Sequence, residues 1–409
     1  MNPNQAVAFT SPGPNGICND GDDQLVVMHL NDSASTAPVT LPAGTADGDS
    51  TVYSLVTGLA LHVILATSTG DLQWMDNNFV PTAIANGVGI GPVMAVAEQN
   101  DKVFLSTPTK LYIYTPSTHT LSITPVVTPD AGTQFVHQLN HLADTSNIYA
   151  VQTNGDVYKV PLTTAPGSAI TTKHFFAPIG TQVAGARLST NKIVIATGLS
   201  ASDVFGSLNP CYTVNPRTCN NGIIAVDKIT GVSTTIEAAA PQKVIFLTRS
   251  FNNYVLYTRN DPPTAGISGG ALLRIEDASL PAVLIGQFGG WGGNVESSSV
   301  SLMDLENHTV RAVFTQFTSL GPPAVGTVSA IASPTGTPVL LGTVTSSPAV
   351  VTLPFFFSST EGSTTMIGRA GLQASPGNNQ PFFIDTAVGH SLTPITTPGA
   401  PAPWVGTDE

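Results

Sequence analysis

Acidic residues crowd two short glycine-containing segments near the start of the chain. Asp20, Asp22 and Asp23 surround Gly21 in CNDGDDQ, and a second segment, TADGDST, carries two more aspartates. Carboxylates that alternate about a glycine suit a hard cation such as Ca²⁺, which binds several oxygen atoms in a tightly bent loop. Neither segment has the distal glutamate of a complete calcium loop. We therefore interpret both as solvated acidic turns, and calcium is the one cofactor that the sequence leaves open.

Two other patterns bear on catalysis. GISGG, around Ser268, matches the nucleophile elbow of hydrolases, but it stands between two predicted antiparallel strands with no helix after it, so we interpret it as a loop. His137 and His141 are four residues apart in FVHQLNHLAD, a spacing that places both on one face of a strand without making a metal site by themselves. The other histidines and acids show no spacing typical of a catalytic triad or a carboxylate pair, and we favour a non-enzymatic role.

The three cysteines indicate one disulfide. Cys211 and Cys219 lie in NPCYTVNPRTCNNG, a loop rich in Pro and Asn whose few apolar residues cannot hold it in place. A local bridge would restrain such a loop. We predict that Cys211 and Cys219 are bonded and that Cys18 is left over. Three free thiols in a reducing compartment are the alternative.

The segment from Val103 to Val126, together with the run from Gly91 to Ala97 before it, predicts the element that positions these residues. It contains three β-branched and aromatic runs separated by Pro, Thr and Ser turns. Four strands joined by three tight turns make an antiparallel meander. The same pattern recurs every 40 to 60 residues, roughly, without helices in between, which indicates radial β repetition. The second strands of the later repeats are predicted at Ile148 to Thr153, Ile193 to Thr197, Val255 to Thr258 and Val310 to Thr315.

No segment shows a helical period, and 32 prolines and 38 glycines interrupt the chain. The chain therefore resembles the β-propeller proteins, and the resemblance covers nearly all of it. It concerns architecture alone, because there is no WD dipeptide at the end of the c strands, no kelch double glycine at the b strand ends and no Asp-box of the sialidase kind. The resemblance implies an all-β fold of four-stranded antiparallel blades, with strands a to d from the innermost outward. It also implies that b-to-c and d-to-a connections share one face.

The number of blades depends on the C-terminal segments. The first repeat, residues 6–41, has b, c and d strands only, so a closed ring must supply its inner strand. Ala349 to Phe357 can do so, which gives the seven blades that we favour. Alternatively, that run begins an eighth blade. We predict one propeller domain over residues 1–396 and a Pro-rich extended tail over residues 397–409.

The long connections fall on one predicted face. They are the b-to-c loops of repeats one, five, six and seven: Ser11 to Asp23, Leu199 to Asn221, Asn260 to Gly270 and Ser319 to Gly326. Ring closure makes these repeats neighbours, and loops lengthened on a rigid scaffold commonly carry binding sites. Neutral insertions are the alternative. The predicted binding residues in this sector are Asp20, Asp22, Tyr212, Arg217, Asp261 and Trp291.

Charge and hydropathy exclude several partners. The chain has 14 Lys and Arg against 26 Asp and Glu, a net charge of -12, and without a basic patch we expect no nucleic-acid binding. No run approaches the roughly 18 apolar residues of a transmembrane helix. Residues 1–15 lack the features of a signal peptide. We expect an extracellular or cell-surface protein whose signal peptide is absent from this sequence, with a cytoplasmic protein as the alternative.

These features predict a secreted or cell-surface propeller that binds a protein or a glycan through its long-loop face. A propeller enzyme, such as a lyase, hydrolase or lactonase with its site at the channel mouth, is the first alternative. A structural subunit of an extracellular or viral assembly is the second. Trimming Leu199 to Asn221 is expected to weaken partner binding and to leave melting nearly unchanged. Shortening the opposite-face turn Glu98 to Asp101 is expected to change partner binding and melting only slightly.

Overall fold

The computed structural model describes residues 60–251 apart from short gaps, and the backbone of named strands elsewhere. Side chains are described between residues 64 and 247 and at three positions near residue 257. The gaps within this stretch are residues 68, 76–79, 92, 137–138, 177–181 and 199–217. The chain divides into two compact units, a central one of residues 94–297 and one of residues 1–93 with 298–409.

Four antiparallel sheets make up the described part of the central unit, and within each sheet consecutive strands pair. We number the sheets along the chain and letter their strands a to d. Sheet 3 consists of Met94–Glu98, Val103–Thr107, Lys110–Thr115 and Thr120–Leu121; sheet 4 of Asn147–Val151, Asp156–Pro161 and Phe175–Phe176; sheet 5 of Val183–Leu188, Lys192–Thr197, Gly222–Asp227 and Ser233–Glu237; and sheet 6 of Val244–Phe251, Tyr254–Asn260, Ser268–Glu276 and Val283–Trp291.

The described strands of the other unit form four further antiparallel sheets. Sheet 1 consists of Ala6–Ser11, Gln24–His29, Val39–Thr40 and Val405–Gly406; sheet 2 of Val52–Thr57, Ala60–Ala66, Leu72–Met75 and Thr82–Ala83; sheet 7 of Val300–Leu305, Thr309–Ser319, Ala324–Ala332 and Val339–Ser346; and sheet 8 of Phe355–Phe357, Thr365–Leu372, Ser375–Asp385 and Ser391–Pro394.

The pairing of the C-terminal strands differs from the favoured interpretation of the sequence. Phe355–Phe357 pairs with Thr365–Leu372 inside sheet 8 and not with the first repeat. The fourth strand of sheet 1 is Val405–Gly406, which pairs with Ala6–Ser11 and lies in the stretch predicted as a tail. Four extended runs between residues 355 and 394 pair with one another in sheet 8. The described strands form eight sheets, and the choice between seven and eight blades stays a prediction.

The core of the central unit is built from strands that are buried on both faces. All five residues of Val103–Thr107 and all six of Val183–Leu188 are buried. A cluster of apolar side chains from sheets 3, 4 and 5 includes Phe104, Ile113 and Val160, each 0% exposed. β-branched and aromatic side chains pack well on a pleated surface. For this reason, runs of such residues in the sequence predict the positions of these strands closely.

Sheet 4 departs from the four-stranded pattern at its inner edge. The segment before Asn147–Val151 forms a 3-10 helix, Leu139–Leu142, and not the strand on which His137 and His141 were expected to share a face. Leu139 and Leu142 are 1% and 0% exposed. Because residues three apart lie on the same side of a 3-10 helix, this conformation buries both leucines at once. His137 and the side chain of His141 lie outside the described residues.

The turn between the first two strands of sheet 3 contains two residues in the left-handed conformation. Asn100 and Asp101 have φ of 48° and 58°, the left-handed conformation that Asn and Asp tolerate best. The Asp101 carboxylate also accepts hydrogen bonds from the backbone N–H and the hydroxyl of Ser117. Shortening this turn would remove these exposed hydrogen bonds, and the small effect expected of that change stays a prediction.

In the described part of the chain the only helices are Leu139–Leu142 and another 3-10 helix, Pro116–Thr118. No described helix has the length and apolar character needed to cross a lipid bilayer.

The packing of sheet 3 predicts a large effect of truncation at its centre. Phe104→Ala should lower the free energy of unfolding by about 3–5 kcal/mol, because it removes a fully buried ring and leaves a cavity. Ile229→Ala, at a side chain that is 85% exposed, should change it by less than about 0.5 kcal/mol. Chemical denaturation followed by tryptophan fluorescence measures both, and equal effects would contradict the assigned core.

Candidate functional site

The b-to-c and d-to-a connections of an antiparallel meander leave it at the same end, which we call the loop end. The opposite end, with the a-to-b and c-to-d connections, is the turn end. Two long excursions leave the loop end of the central unit, one between Thr197 and Gly222 and one between Asn260 and Ser268. Trp291 ends its strand opposite Ser268, so its backbone lies at the loop end too.

The other predicted binding residues fall outside the described part of the chain. Tyr212, Arg217 and Asp261 lie within the two excursions, and Asp20 and Asp22 precede the second strand of sheet 1. Asp23, the third predicted calcium ligand, is in the same undescribed segment, and the calcium site stays a prediction. Among the described residues no group of three or more His, Cys, Asp or Glu side chains could hold a metal ion. What the structure does describe is how the excursions are held at their bases.

Asn221 fixes the end of the first excursion. It is 0% exposed, and its side chain donates from Nδ2 to the carbonyl of Thr197 at 3.1 Å and accepts at Oδ1 from the N–H of Ile245 at 3.0 Å. Thr197 ends a strand of sheet 5, whereas Ile245 belongs to the first strand of sheet 6. One buried amide therefore joins two neighbouring sheets where the excursion returns.

The residues next to Asn221 close the base tightly. Gly198 has a φ of +105°, and a Cβ there would lie 2.6 Å from Oδ1 of Asn220, so the two stems of the excursion touch. Cys219 is 1% exposed and takes part in a disulfide. Cys211 lies outside the described residues, so the pairing of Cys211 with Cys219 stays a prediction. Trimming through Asn221 would remove the buried contacts of its side chain.

Glu237 organises a polar cluster beneath the second excursion. Its side chain is 8% exposed and receives three donors: Nζ of Lys243 at 2.9 Å, a guanidinium nitrogen of Arg259 at 2.9 Å and the Tyr257 hydroxyl. Burial alone would raise the pKa of Glu237. The hydrogen bonds from Tyr257 and Lys243, with the charges of Lys243 and Arg259, outweigh burial and hold that pKa below its usual value.

Lys243 connects the two bases. Its carbonyl accepts a hydrogen bond from the N–H of Asn221 at 3.1 Å, and its ammonium binds Glu237, which in turn binds Arg259 one residue before the second excursion. We call this network the joint base and define it as Asn221, Glu237, Lys243, Tyr257 and Arg259. Both excursions of the central unit thus start from one continuous set of hydrogen bonds.

A second polar cluster lies at the loop end, between sheets 3 and 4. Lys173 donates to the carboxylates of Asp130 and Asp156, the latter at 2.7 Å. Oε1 of Gln152 accepts from the N–H of Asp130 at 3.0 Å and from the Thr133 hydroxyl at 2.6 Å. We call these five residues the Asp130 cluster. Hydrogen bonds to Asp130 and Asp156 raise the pKa of Lys173, so the ammonium stays charged.

An ion pair of the same kind occupies the turn end. Nζ of Lys228 lies 2.9 Å from Asp144 and 5.2 Å from the centre of the Tyr149 ring. Burial opposes ionisation of Asp144, but hydrogen bonds from Lys228 and from two backbone N–H groups lower its pKa overall. The two ends of the central unit therefore carry comparable aspartate–lysine pairs, which makes one a control for the other.

Sequence reasoning found the loop end but missed these side chains. Glu237, Lys243 and Arg259 come from different strands and connections, and nothing in their local sequence says that they meet. Gln152 and Asp156 flank the turn TNGD, where the Asn-Gly pair predicts the turn but not the partners. Only the register of the strands brings these groups together.

Comparison with known proteins bears on the fold. No family model matches the chain, and no curated protein matches its sequence. Among solved structures, the computationally designed Ika8 protein aligns over 94% of this chain and 98% of its own, at 11% identity and a TM-score of 0.53. The β-propeller domain of the trilobed protease from Pyrococcus furiosus aligns over 93% of this chain and 88% of its own, at 7% identity and a TM-score of 0.37.

The fold is that of a β-propeller. Seven of the eight described sheets are four-stranded and antiparallel and the described part of sheet 4 has three strands; four-stranded antiparallel sheets are the blades of such proteins, and this confirms the fold class that the sequence predicts. A putative 6-phosphogluconolactonase from Bacteroides uniformis, at 12% identity and a TM-score of 0.44 over 83% of this chain and 96% of its own, is another solved structure of this set. At such identities the likeness concerns the fold alone.

The joint base predicts that Asn221 contributes strongly to stability. Asn221→Ala should lower the free energy of unfolding by about 2–3 kcal/mol, because it leaves the buried N–H of Ile245 without an acceptor. Asn154→Ala, at an exposed position of the same end, should cost less than about 1 kcal/mol. Thermal unfolding monitored by circular dichroism tests this, and a smaller loss in Asn221→Ala than in Asn154→Ala would contradict the assignment.

The lowered pKa of Glu237 predicts how the stability of the protein depends on pH. Since its folded-state pKa lies below its ordinary 4.5, the stability that Glu237 contributes is present above pH 4.5 and is lost as the pH falls through the folded-state value. The melting temperatures of the wild type and Glu237→Gln should therefore differ most at neutral pH and converge as the pH falls below 4.5. A difference that stays constant over this range would show that the Glu237 charge has no such role.

Proposed function

We propose that the loop end of the central unit is the binding face of a secreted or cell-surface propeller, and that its ligand is a protein or a glycan. The observation that carries the proposal is the joint base, in which the starts of two long excursions share one hydrogen-bonded network. A long loop whose two ends are held in place has less conformational entropy to lose when it binds a ligand, so binding costs less.

The chemistry of the joint base favours a scaffold over a catalytic role. Glu237 accepts from Tyr257, Lys243 and Arg259 at once, so its carboxylate is already committed to these donors. A general acid or base at neutral pH needs a pKa near 7, whereas the pKa of Glu237 is shifted the other way. The predicted bond between Cys211 and Cys219 would add covalent restraint to the first excursion, and a disulfide suits an oxidising, extracellular setting.

Substitutions within the first excursion test this proposal. The double variant Tyr212→Ala/Arg217→Ala should bind its ligand at least about tenfold more weakly than the wild type, since Tyr and Arg commonly supply most of the energy of an interface. The probes are an array of immobilised neutral and acidic oligosaccharides and a panel of cell-surface proteins, followed by titration calorimetry of the positives.

The control is Ile229→Ala/Val232→Ala, which removes two exposed apolar side chains, 85% and 64% exposed, from the turn end. It should bind as the wild type does. If this control loses affinity and the excursion variant does not, the binding face has been placed at the wrong end. Release of a cleavage product from the array would instead support the enzyme alternative.

A further inference from the structure

We propose that Asn154 is a modification site, at which the folded protein converts its own asparagine to aspartate or isoaspartate without an enzyme. The proposal goes beyond the binding role of the loop end and does not depend on it. It begins from a dipeptide: asparagine is followed by glycine at residues 15–16, 86–87, 154–155 and 221–222. The structure describes the last three of these pairs and places them in different surroundings.

The chemistry needs only the two residues and water. The backbone nitrogen of the glycine attacks the side-chain Cγ of the asparagine, the new N–C bond closes a five-membered succinimide, and the Cγ–Nδ2 bond breaks. The proton that the glycine nitrogen loses leaves with the amide nitrogen as ammonia. Water then adds to either carbonyl carbon of the ring, which opens to aspartate or to isoaspartate. Glycine has no Cβ to hinder the attack, and each conversion adds one negative charge.

The side chain of Asn154 is positioned for this attack. Its Oδ1 accepts a hydrogen bond from the backbone N–H of Asp156 at 3.0 Å, and its Nδ2 donates to the Asp156 carboxylate at 3.1 Å. A donor on Oδ1 polarises the amide carbonyl and stabilises the negative charge that forms on this oxygen when Cγ is attacked. The carboxylate lies beside the nitrogen that has to leave.

Only one turn has to open for the glycine nitrogen to reach Cγ. The N–H of Gly155 donates to the carbonyl of Gln152 at 2.9 Å, and Gly155 has a φ of 93°. Asn154 itself is exposed, in the connection between Asn147–Val151 and Asp156–Pro161. Opening a single turn costs far less than the global free energy of unfolding, so the reaction proceeds in the folded protein.

Asn221 is protected by the joint base. It is 0% exposed, and the oxygen and nitrogen of its amide are both bonded to backbone groups of neighbouring sheets. A Cβ on Gly222 would lie 2.7 Å from the backbone nitrogen of Ala239, so this glycine is closely enclosed. Conversion of Asn221 therefore requires sheets 5 and 6 to separate.

Asn86 is an intermediate case. Its side chain is exposed, but the following Gly87 is buried, and the carbonyl of Gly87 accepts a hydrogen bond from the N–H of Leu72 at 2.9 Å. Leu72 is 1% exposed and belongs to a strand of sheet 2, so moving the Gly87 nitrogen disturbs a buried strand. The expected order of conversion is Asn154, then Asn86, then Asn221.

The modification changes the loop end. A carboxylate at residue 154 cannot donate to Asp156, which is bound to Lys173 at 2.7 Å, and the two carboxylates repel each other. Isoaspartate also lengthens the backbone of the turn by one methylene. The Asp130 cluster thus loses part of its support, and the chain becomes more negative than its net charge of -12.

The test follows the wild-type protein over time, so no variant has to fold. The protein is kept at a mildly alkaline pH below its melting temperature, and peptide mapping with mass spectrometry measures the acid formed at each asparagine. Residue 154 should convert at least about tenfold faster than residue 221, and faster as the pH rises, because the attacking nitrogen must lose its proton. In denaturant, where the fold no longer separates the pairs, the rates at residues 154 and 221 should approach each other.

The control is Asn154→Gln, which keeps the amide but would have to close a six-membered ring. Residue 154 of this variant should stay an amide while residue 86 converts as in the wild type. Three results would overturn the proposal: equal rates at residues 154 and 221 in the folded protein, faster conversion of residue 86 than of residue 154, and no conversion of residue 154 in the time that the denatured protein needs to convert fully.

Discussion

The hydrogen bond between Glu237 and Lys243 is the contact on which the organisation of the loop end depends. Glu237 ends the last strand of sheet 5, and Lys243 directly precedes the first strand of sheet 6. A carboxylate that is 8% exposed is costly to desolvate, and it is retained because three donors converge on it. Since the Lys243 carbonyl also holds Asn221, the loss of this pair would disturb the bases of both excursions.

The strands were predictable because their signals are local. The strand Lys192–Thr197 was predicted to within one residue, since it is a β-branched run ended by turn residues. The inner segment of sheet 4 was not predicted in full: single bridges join Phe135 to Gln152 and Ala143 to Ile148, and between them a 3-10 helix buries Leu139 and Leu142. The strand Val405–Gly406 was missed for another reason: two residues in a Pro-rich segment carry no strand signal, and their partner lies at the other end of the chain.

The candidate site was only partly predictable. The rule that b-to-c and d-to-a connections share one end correctly predicts that both excursions of the central unit leave the same end. It does not predict that Glu237 meets Arg259 or that Lys173 meets Asp130, because charges in a sequence do not specify their partners. These pairs depend on strand register and on how adjacent sheets pack, and both are set by contacts between residues distant in sequence.

The central claim is that both excursions stand on one coupled base, and a double-mutant cycle between Asn221 and Glu237 tests it most directly. The free energy of unfolding is measured for the wild type, Asn221→Ala, Glu237→Gln and the double variant. If Lys243 couples the two residues, the effects should be non-additive by about 0.5–3 kcal/mol, as for members of one hydrogen-bond network. Effects that add to within about 0.3 kcal/mol would mean that the two bases are independent and would contradict this account.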